Sequence, residues 1–404
     1  MYVLIDGYNL SKRKATGVAN YGKNLAYVLS MSQNEVGIIF PYNLSNKIKE
    51  SEYLNSLLTS IEVSSGNVTK LKSRKLLIIW HFLQSFLNQY SLKEVLINPE
   101  LVIPKDSQSL SFKHRILYKN AIFQFAHAYF QLTNQLLPIK VPDEVDLVHW
   151  TYPIPIRAVN KHNIYTIHDL VPMRLPYTTL DNKKYYVKSM AKICQKASKL
   201  VAVSNNTKED LRNFFQVCKE KVFVSWQSTD IANYPLCSSW LQDNILQFYQ
   251  LARGDYFIFI GNIEPKKNIK RLIQAYLVSN VSQKLIIVGS RAWKSKEELK
   301  ELSKIKKDEQ KTGGETKMVN KIRLMEYLPR EEMITLLANA RALLFPSLYE
   351  GFGLPVLEAM QLGVPVLTSN VSSLPEVGGD AVLYVDPYSI EDISLGIHKL
   401  STDD

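Results

Sequence analysis

Fifteen residues concentrate the chemistry of this 404-residue chain: Pro346-Ser347-Leu348-Tyr349-Glu350-Gly351-Phe352-Gly353-Leu354-Pro355-Val356-Leu357-Glu358-Ala359-Met360. Two carboxylates, two glycines and a helix start fall within them. The apolar run Ala342 to Phe345 just before reads as a short strand, and Pro355 sits where a first helical turn tolerates a missing N–H. The loop between strand and helix therefore faces a helix N-terminus. Backbone N–H groups at Gly353, Leu354 and the next residues lack intrahelical partners and, with the helix dipole, make a place for a phosphate. Glycine lets the backbone come close to such a ligand. Glu350 precedes the helix and Glu358 lies about one turn inside it, so both can accept hydrogen bonds from hydroxyl groups of a ligand held over the helix start. A phosphate beside a polyol suggests a nucleotide sugar.

Other segments place chemistry at comparable points. Phe259-Ile260-Gly261-Asn262-Ile263-Glu264-Pro265-Lys266-Lys267-Asn268 ends a strand in glycine, turns at a proline and presents two lysines before a helix. Lys266 and Lys267 project over the same sheet edge as Gly353 and can neutralise a diphosphate; alone, such a pair reads as surface decoration. Thr16-Gly17-Val18-Ala19-Asn20-Tyr21 follows the first strand, where Gly17 either brings backbone to a phosphate or is an ordinary loop glycine. Tyr165-Thr166-Ile167-His168-Asp169-Leu170-Val171-Pro172 ends a strand in a titratable pair, and His168 can hydrogen-bond a sugar hydroxyl or phosphate or serve structure alone. In Val203 to Asp210, Ser204 or Thr207 caps a helix. The sequence has no Asp-x-Asp, no Cys or His cluster at ligand spacing and no Walker-type loop. No metal is demanded, and the cationic work falls to lysines and helix dipoles.

These segments need sheets to hold them. In the second half, strands at Tyr256 to Ile260, Lys284 to Val288, Ala342 to Phe345, Val364 to Thr368 and Ala381 to Val385 alternate with helices at Arg271 to Ser279, Arg330 to Ala340 and Leu354 to Leu362. This is a doubly wound α/β pattern, whose ligands bind at the carboxyl ends of strands, where Gly261, Gly289 and Glu350 fall. The first half begins alike, with strands at Tyr2 to Ile5, Val36 to Phe40, Leu147 to Trp150, Ile164 to Ile167 and Leu200 to Val203. Between them, Leu76 to Leu83 and Ile122 to Phe130 are aromatic-rich helical segments separated by Lys113, His114, Arg115 and Lys119. They suit a membrane interface or a buried helix pair about equally. A further helix, Lys183 to Lys199, sets Lys184, Lys188, Lys192 and Lys196 in one basic stripe, with Val187, Ala191, Cys194 and Ala197 facing inward. That stripe is either a solvated face or a seat for an anionic partner. Residues 226–254 lack a period and read as a linker, and residues 295–321, rich in Lys and Glu, read as an exposed helical insertion.

Length fits two domains of roughly 200 residues each. The predicted boundaries are 1–225, the linker 226–254, and 255–404. Three cysteines, Cys194, Cys218 and Cys237, form no even framework and fit a reducing cytosol. No apolar run reaches the roughly 18 residues of a membrane span, and Met1-Tyr2-Val3 leads straight into a strand with no leader pattern. The net charge of +11 is uneven: residues 1–225 hold 29 lysines and arginines against 16 acids, whereas residues 226–404 hold 20 against 22. The basic half implies an anionic neighbour, unless lysines only keep the surface soluble. No nucleic-acid motif accompanies the charge.

Together these segments resemble the retaining nucleotide-sugar glycosyltransferases of the GT-B fold, family 4 or "glycosyl transferases group 1" type, which include bacterial mannosyl- and glucosyltransferases of surface polysaccharide assembly. The likeness runs over nearly the whole chain. It is most specific in Glu350-x7-Glu358, followed by Gly363-Val364-Pro365-Val366 and Pro375-Glu376-Val377-Gly378-Gly379-Asp380-Ala381. The Gly261 to Asn268 run, His168-Asp169-Leu170, and Asp6-Gly7 with Thr16-Gly17-Val18 and Tyr21 look like the same family. The resemblance implies an α/β protein with two Rossmann-like domains facing a central cleft: an N-terminal acceptor-binding domain and a C-terminal domain for the nucleoside-diphosphate sugar.

On that resemblance Lys267, helped by Lys266, would hold the diphosphate, with Gly353 and Leu354 at the helix start. Glu358 would accept from the ribose, Glu350 from the donor sugar, His168 would touch the sugar, and Gly17 would give backbone contact to phosphates. His168 and Glu350 are the catalytic candidates. A hexose would pass with retention of configuration to a saccharide or polyprenyl-diphosphate-linked acceptor, with no cofactor beyond the sugar nucleotide. The expected setting is cytoplasmic, peripheral on an anionic inner membrane face. Asn20 stands where Arg is common, Glu326 where a small residue is usual, and the family's C-terminal crossing helix is expected beyond Ser401 to Asp404. A nucleotide-sugar epimerase and a non-catalytic sugar-nucleotide binder are the competing classes.

Overall fold

The computed structural model describes residues 1–10, 17–41, 90–95, 115–119, 121–229, 231, 234, 236–304, 321–326 and 328–402. The chain divides into two compact units. The first comprises Met1–His168, Asn182–Val203 and Lys208–Ser225; the second comprises Asp169–Asp181, Ser204–Thr207 and Trp226–Asp404.

The first unit is built on strands β1 (Tyr2–Asp6), β2 (Glu35–Phe40), β3 (Lys93–Val95), β4 (Arg115–Tyr118), β5 (Leu137–Ile139), β6 (Leu147–Trp150), β7 (Ile156–Ala158), β8 (His162–Ile167), β9 (Lys199–Ala202) and β10 (Val222–Val224). Eight of them form one sheet in the order β10-β9-β8-β6-β1-β2-β4-β3, and β5 pairs with β7 apart from it. All ladders are parallel except β3 with β4. Helices α1 (Gly17–Met31), α2 (Ile122–Thr133) and α3 (Lys183–Lys196) connect these strands, and α4 (Asn205–Phe215) opens on the hydroxyl of Ser204, which accepts the Thr207 N–H at 3.1 Å. Chain direction across the sheet reverses between β1 and β6. The carboxyl ends of those two strands therefore splay their following loops apart, which is where such sheets bind ligands.

The second unit has strands β11 (Tyr256–Ile260), β12 (Lys284–Val288), β13 (Ile322–Met325), β14 (Ala342–Phe345), β15 (Val366–Ser369) and β16 (Leu383–Val385). They form a fully parallel sheet in the order β13-β12-β11-β14-β15-β16. Helices α5 (Ser239–Phe248), α6 (Ile269–Ser279), α7 (Arg330–Ala338), α8 (Leu354–Gln361), α9 (Leu374–Gly378) and α10 (Ile390–Thr402) surround it, with α10 against α6 and α5 against α7. Covered on both faces, the central strands are buried throughout, which is why Tyr256–Ile260 and Ala342–Phe345 read as unbroken apolar runs. The reversal lies between β11 and β14. A β-carbon at Gly289 would fall 1.8 Å from the Gly261 carbonyl oxygen, so glycine is what lets the ends of β11 and β12 close on one another.

Three expectations change, and one open alternative is decided. Residues 226–254 are not a linker: α5 lies there, with Gln242 and Leu246 buried in the second unit. Its period was hidden because Trp240, Leu241 and Phe248 are apolar yet exposed. In the stripe helix the inward face is Ser189, Met190, Ile193 and Cys194, whereas Val187 and Ala191 point to solvent. The large Met190 and Ile193 side chains, one turn apart, set the rotation of that helix. The described part of the 295–321 segment is not an exposed insertion, since Glu298, Leu299 and Leu302 are buried and Glu298 accepts the Lys270 N–H at 3.0 Å. Segment Ile122 to Phe130 is a core helix, with Ile122, Phe123, Phe125, Ala126, Tyr129 and Phe130 buried, while 76–83 lies outside the described residues.

Candidate functional site

Two loops of the second unit leave the sheet at its switch point, Gly261–Lys267 after β11 and Pro346–Gly353 after β14. They are tied directly, the Leu348 N–H donating to the Lys266 carbonyl at 2.8 Å. Asn268, in the left-handed region with φ 61°, ties them again: its amide donates to the carbonyls of Pro346 at 3.0 Å and Pro387 at 2.7 Å. From these loops Lys267 Nζ meets Glu350 Oε1 at 2.6 Å, with the ammonium also 4.8 Å from the Phe345 ring centre. Lys266 Nζ lies 3.6 Å from Asp169 and 3.9 Å from Glu264. Two lysines thus stand among three carboxylates rather than as an unopposed cationic pair, because a buried ammonium without a counter-charge is costly.

The electrostatics follow from that cluster. Burial pushes the Glu264 carboxyl above its ordinary range, against the pull of Lys266 and Lys267. Burial also works against the Lys266 ammonium, but Asp169, Glu350 and Glu264 outweigh it and hold its pKa above the ordinary lysine value. Lys266 stays charged at any physiological pH.

Helix α8 begins one residue after Gly353, whose φ of 120° and ψ of 46° suit glycine, and whose missing β-carbon leaves room for Leu374 at what would be 2.9 Å. The loop ahead of it is fastened by hydroxyl groups. Thr368 donates to the Phe345 carbonyl at 3.0 Å and Ser369 to that of Ser347 at 2.7 Å. Ser372 accepts the Glu350 N–H at 3.0 Å, and Ser373 Oγ bridges the carbonyls of Glu350 at 3.0 Å and Phe352 at 2.7 Å. Inside α8, Glu358 is buried and receives Arg330 Nη2 on Oε1 at 2.6 Å, from the first residue of α7. The Arg330 guanidinium lies 5.8 Å from the Tyr234 ring centre. Helices α7 and α8 each follow a parallel strand, so both of their N-termini lie at the carboxyl edge of the sheet. The structure therefore brings Lys266, Lys267, Glu350, Gly353, Leu354 and Glu358 to one edge of one unit.

His168 and Gly17 belong to the first unit. Gly17 is the exposed first residue of α1, and Tyr21, one turn on, meets the His168 ring edge-on at 5.1 Å. His168 Nε2 bonds the Thr151 carbonyl at 2.8 Å. The Thr151 N–H in turn donates to Asp6, which also accepts from the Tyr8 N–H at 3.1 Å. Behind them, Tyr21 OH, Thr166 Oγ1 and His149 Nε2 form a chain of 2.9 and 2.7 Å. Burial pushes the Asp6 carboxyl up to about 6, against the hydrogen bonds from Thr151 and Tyr8. Burial and then the charge of His168 push His149 down to about 4.

The sequence model of "Glycosyl transferases group 1" matches residues 244–404, and that of "Glycosyltransferase Family 4" matches residues 97–230. The O-antigen chain mannosyltransferase B of Escherichia coli is 34% identical over 246 residues, 60% of this chain and 61% of that protein. The serotype-specific mannosyltransferase WbdA of Escherichia coli is 28% identical over 262 residues, 63% of this chain and 31% of that one. These matches span less than two thirds of either relative. Among solved structures, Anabaena HepE in complex with UDP and glucose superposes with a TM-score of 0.60 at 16% identity, covering 100% of this chain and 90% of that one. Two glycosyltransferase family models thus match residues 97–230 and 244–404 in turn, and the fold is that of the GT-B structures.

Within this GT-B fold, sequence reasoning missed Arg330, Asp169 as a partner of Lys266, and the Thr368 to Ser373 hydroxyl frame. Arg330 had a faint signal, an arginine on the first turn of a helix after a strand. The hydroxyl frame had its four Ser and Thr residues within six positions at the end of a strand. Asp6 and Tyr21 gave a signal in the opening motif, Thr166 and His149 only as residues near strand ends. Among the described residues no helix is long and apolar enough to cross a membrane.

Proposed function

We propose that the chain is a retaining glycosyltransferase that moves a hexose from a nucleoside-diphosphate sugar to a saccharide or polyprenyl-diphosphate-linked saccharide in surface polysaccharide assembly. The observation that carries the proposal is the convergence of Lys267 on Glu350 and Arg330 on Glu358 around the start of α8, at the switch point of a parallel sheet. In the transfer the bond between the sugar C1 and the diphosphate oxygen breaks, the acceptor oxygen bonds to the same face of C1, and the acceptor hydroxyl's proton passes to the departing diphosphate. Negative charge grows on the departing diphosphate. Lys266, Lys267 and the N–H groups of Gly353 and Leu354 stand where such charge is stabilised without a metal or other cofactor. In this reading Glu350 accepts from hydroxyls of the donor sugar and Glu358 from the ribose, His168 contacts the sugar, and Gly17 offers backbone to the phosphates. The chain's likeness to the mannosyltransferase relatives favours mannose as the hexose. The exposed lysines of α3 and the basic first half favour an anionic membrane surface as the working site.

Isothermal titration against UDP-, GDP-, dTDP- and ADP-sugars, without and then with magnesium, tests the reading. One nucleotide is expected to bind selectively, with affinity falling at least about tenfold in Glu358→Ala and Lys267→Ala, the loss of one charged hydrogen bond. Folded protein that binds none of the panel under either condition defeats it.

A further inference from the structure

Arg330 does not belong to the Glu-x7-Glu element, the lysine loop or the helix start, yet it touches the second glutamate. Its Nη2 donates to Glu358 Oε1 at 2.6 Å, the guanidinium stands 5.8 Å from the centre of the Tyr234 ring, and side-chain exposure is 24% for Arg330 and 11% for Glu358. Resting on the nucleotide-sugar reading, we propose that Arg330 is a positioning residue for recognition of the ribose: it fixes the rotamer and the charge of Glu358 so that this carboxylate meets the ribose hydroxyls.

Glu358 sits inside the second turn of α8, where its carboxylate is buried and needs a counter-charge to remain ionised. Lys267 lies against Glu350, and Lys266 beside Asp169 and Glu264. Arg330 supplies a counter-charge to Glu358 from a different helix, so that the position of Glu358 is set by two elements rather than one. The guanidinium is planar and always charged, and it holds a carboxylate in a fixed plane in a way an ammonium does not. An ionised carboxylate accepts more than one hydrogen bond, so the contact with Arg330 is compatible with a hydroxyl on the same group. The placement also fits. Arg330 and Glu358 lie on helices that both start at the carboxyl edge of the sheet, α7 after the edge strand β13 and α8 after β14 across the switch point.

The test is a cycle between Arg330 and single hydroxyl groups. Binding of UDP and GDP is measured beside their 2′-deoxy and 3′-deoxy forms, for the wild type and for Arg330→Gln and Arg330→Lys. Each protein is first checked for a native thermal transition, and Arg330→Lys, which keeps the charge, stands in if Arg330→Gln does not fold. In the wild type, removing the hydroxyl that Glu358 accepts is expected to weaken binding about tenfold or more. In Arg330→Gln that penalty shrinks to within about twofold, and in Arg330→Lys it is intermediate. A variant that loses affinity equally for nucleotides with and without the hydroxyl overturns the proposal, because a merely structural role acts on both alike. A wild type that binds UDP or GDP with no deoxy penalty also overturns it, while leaving the nucleotide site standing. Failure of the wild type to bind either nucleotide overturns the nucleotide-sugar reading and this proposal together.

Discussion

Lys267 and Glu350 hold one another at 2.6 Å with side chains only 12% and 9% exposed, so neither charge can turn to water when the other is removed. A buried pair of this kind gives little net stability against an apolar substitute, but halving it leaves an uncompensated charge that costs about 3 kcal/mol or more. Lys267→Met is therefore expected to lower unfolding free energy by about 3 kcal/mol, and Glu350→Gln by a smaller amount because Asp169 and Glu264 stay near the lysines. The double variant should be less destabilised than the sum of the two, by at least about 1 kcal/mol. Denaturant titration of the three proteins checks this, and strict additivity would refute the coupling. At this scale the sequence was informative about identity and silent about pairing. The Glu350 to Glu358 spacing and the two lysines are local and could be read directly. That Lys266 pairs with Asp169, nearly a hundred residues earlier, and Glu358 with Arg330 depends on which loops the sheet order makes neighbours, and no periodicity encodes that.

Strands β1 and β6 put two buried titratable groups at neighbouring carboxyl ends, and their effects oppose. Native Asp6 has its pKa raised from an ordinary 3.8 to about 6, so between about pH 4 and 6 the folded chain holds a proton that the unfolded chain has released. Its contribution to stability therefore falls as pH rises through that window. Native His149 has its pKa lowered from 6.5 to about 4, so over nearly the same window the unfolded chain holds the proton and stability rises with pH. Each shift corresponds to roughly 3 kcal/mol, and together they leave the wild type almost flat between pH 4 and 6 as far as these groups are concerned. Relative to wild type, Asp6→Asn is expected to gain stability by roughly 3 kcal/mol from pH 4 to 6, and His149→Gln to lose as much. Urea midpoints at four pH values decide it, and difference curves that stay parallel to the pH axis would remove the idea. The strands themselves were legible because parallel strands buried on two faces are continuous apolar runs, as at Tyr256–Ile260, Lys284–Val288 and Ala342–Phe345. Helix α5 was not, since its exposed Trp240, Leu241 and Phe248 erase the polar face on which helical periodicity depends.

Over the whole molecule the largest asymmetry is charge. Residues 1–225 carry an excess of 13 positive charges and residues 226–404 an excess of 2 negative ones. The excess has a described focus in α3, where Lys184, Lys188 and Lys196 are exposed along one face and no acid falls between Asn182 and Ala197. Like charges four residues apart weaken a helix slightly, so this face gains when an anionic surface neutralises it. Each lysine brought close to an anionic bilayer contributes about 1 kcal/mol, within a Debye length of about 8 Å at physiological salt. The protein is therefore expected to bind vesicles containing phosphatidylglycerol and not vesicles of phosphatidylcholine alone, with binding lost progressively between about 0.05 and 0.3 M salt. Replacing Lys184, Lys188 and Lys196 together with Gln should weaken that binding by about a hundredfold while leaving nucleotide affinity unchanged, since none of the three lies in the second unit. Equal binding to neutral and anionic vesicles would trace the contact to apolar surface instead. Binding to anionic vesicles that the triple substitution does not weaken would move the seat of the charge effect away from α3.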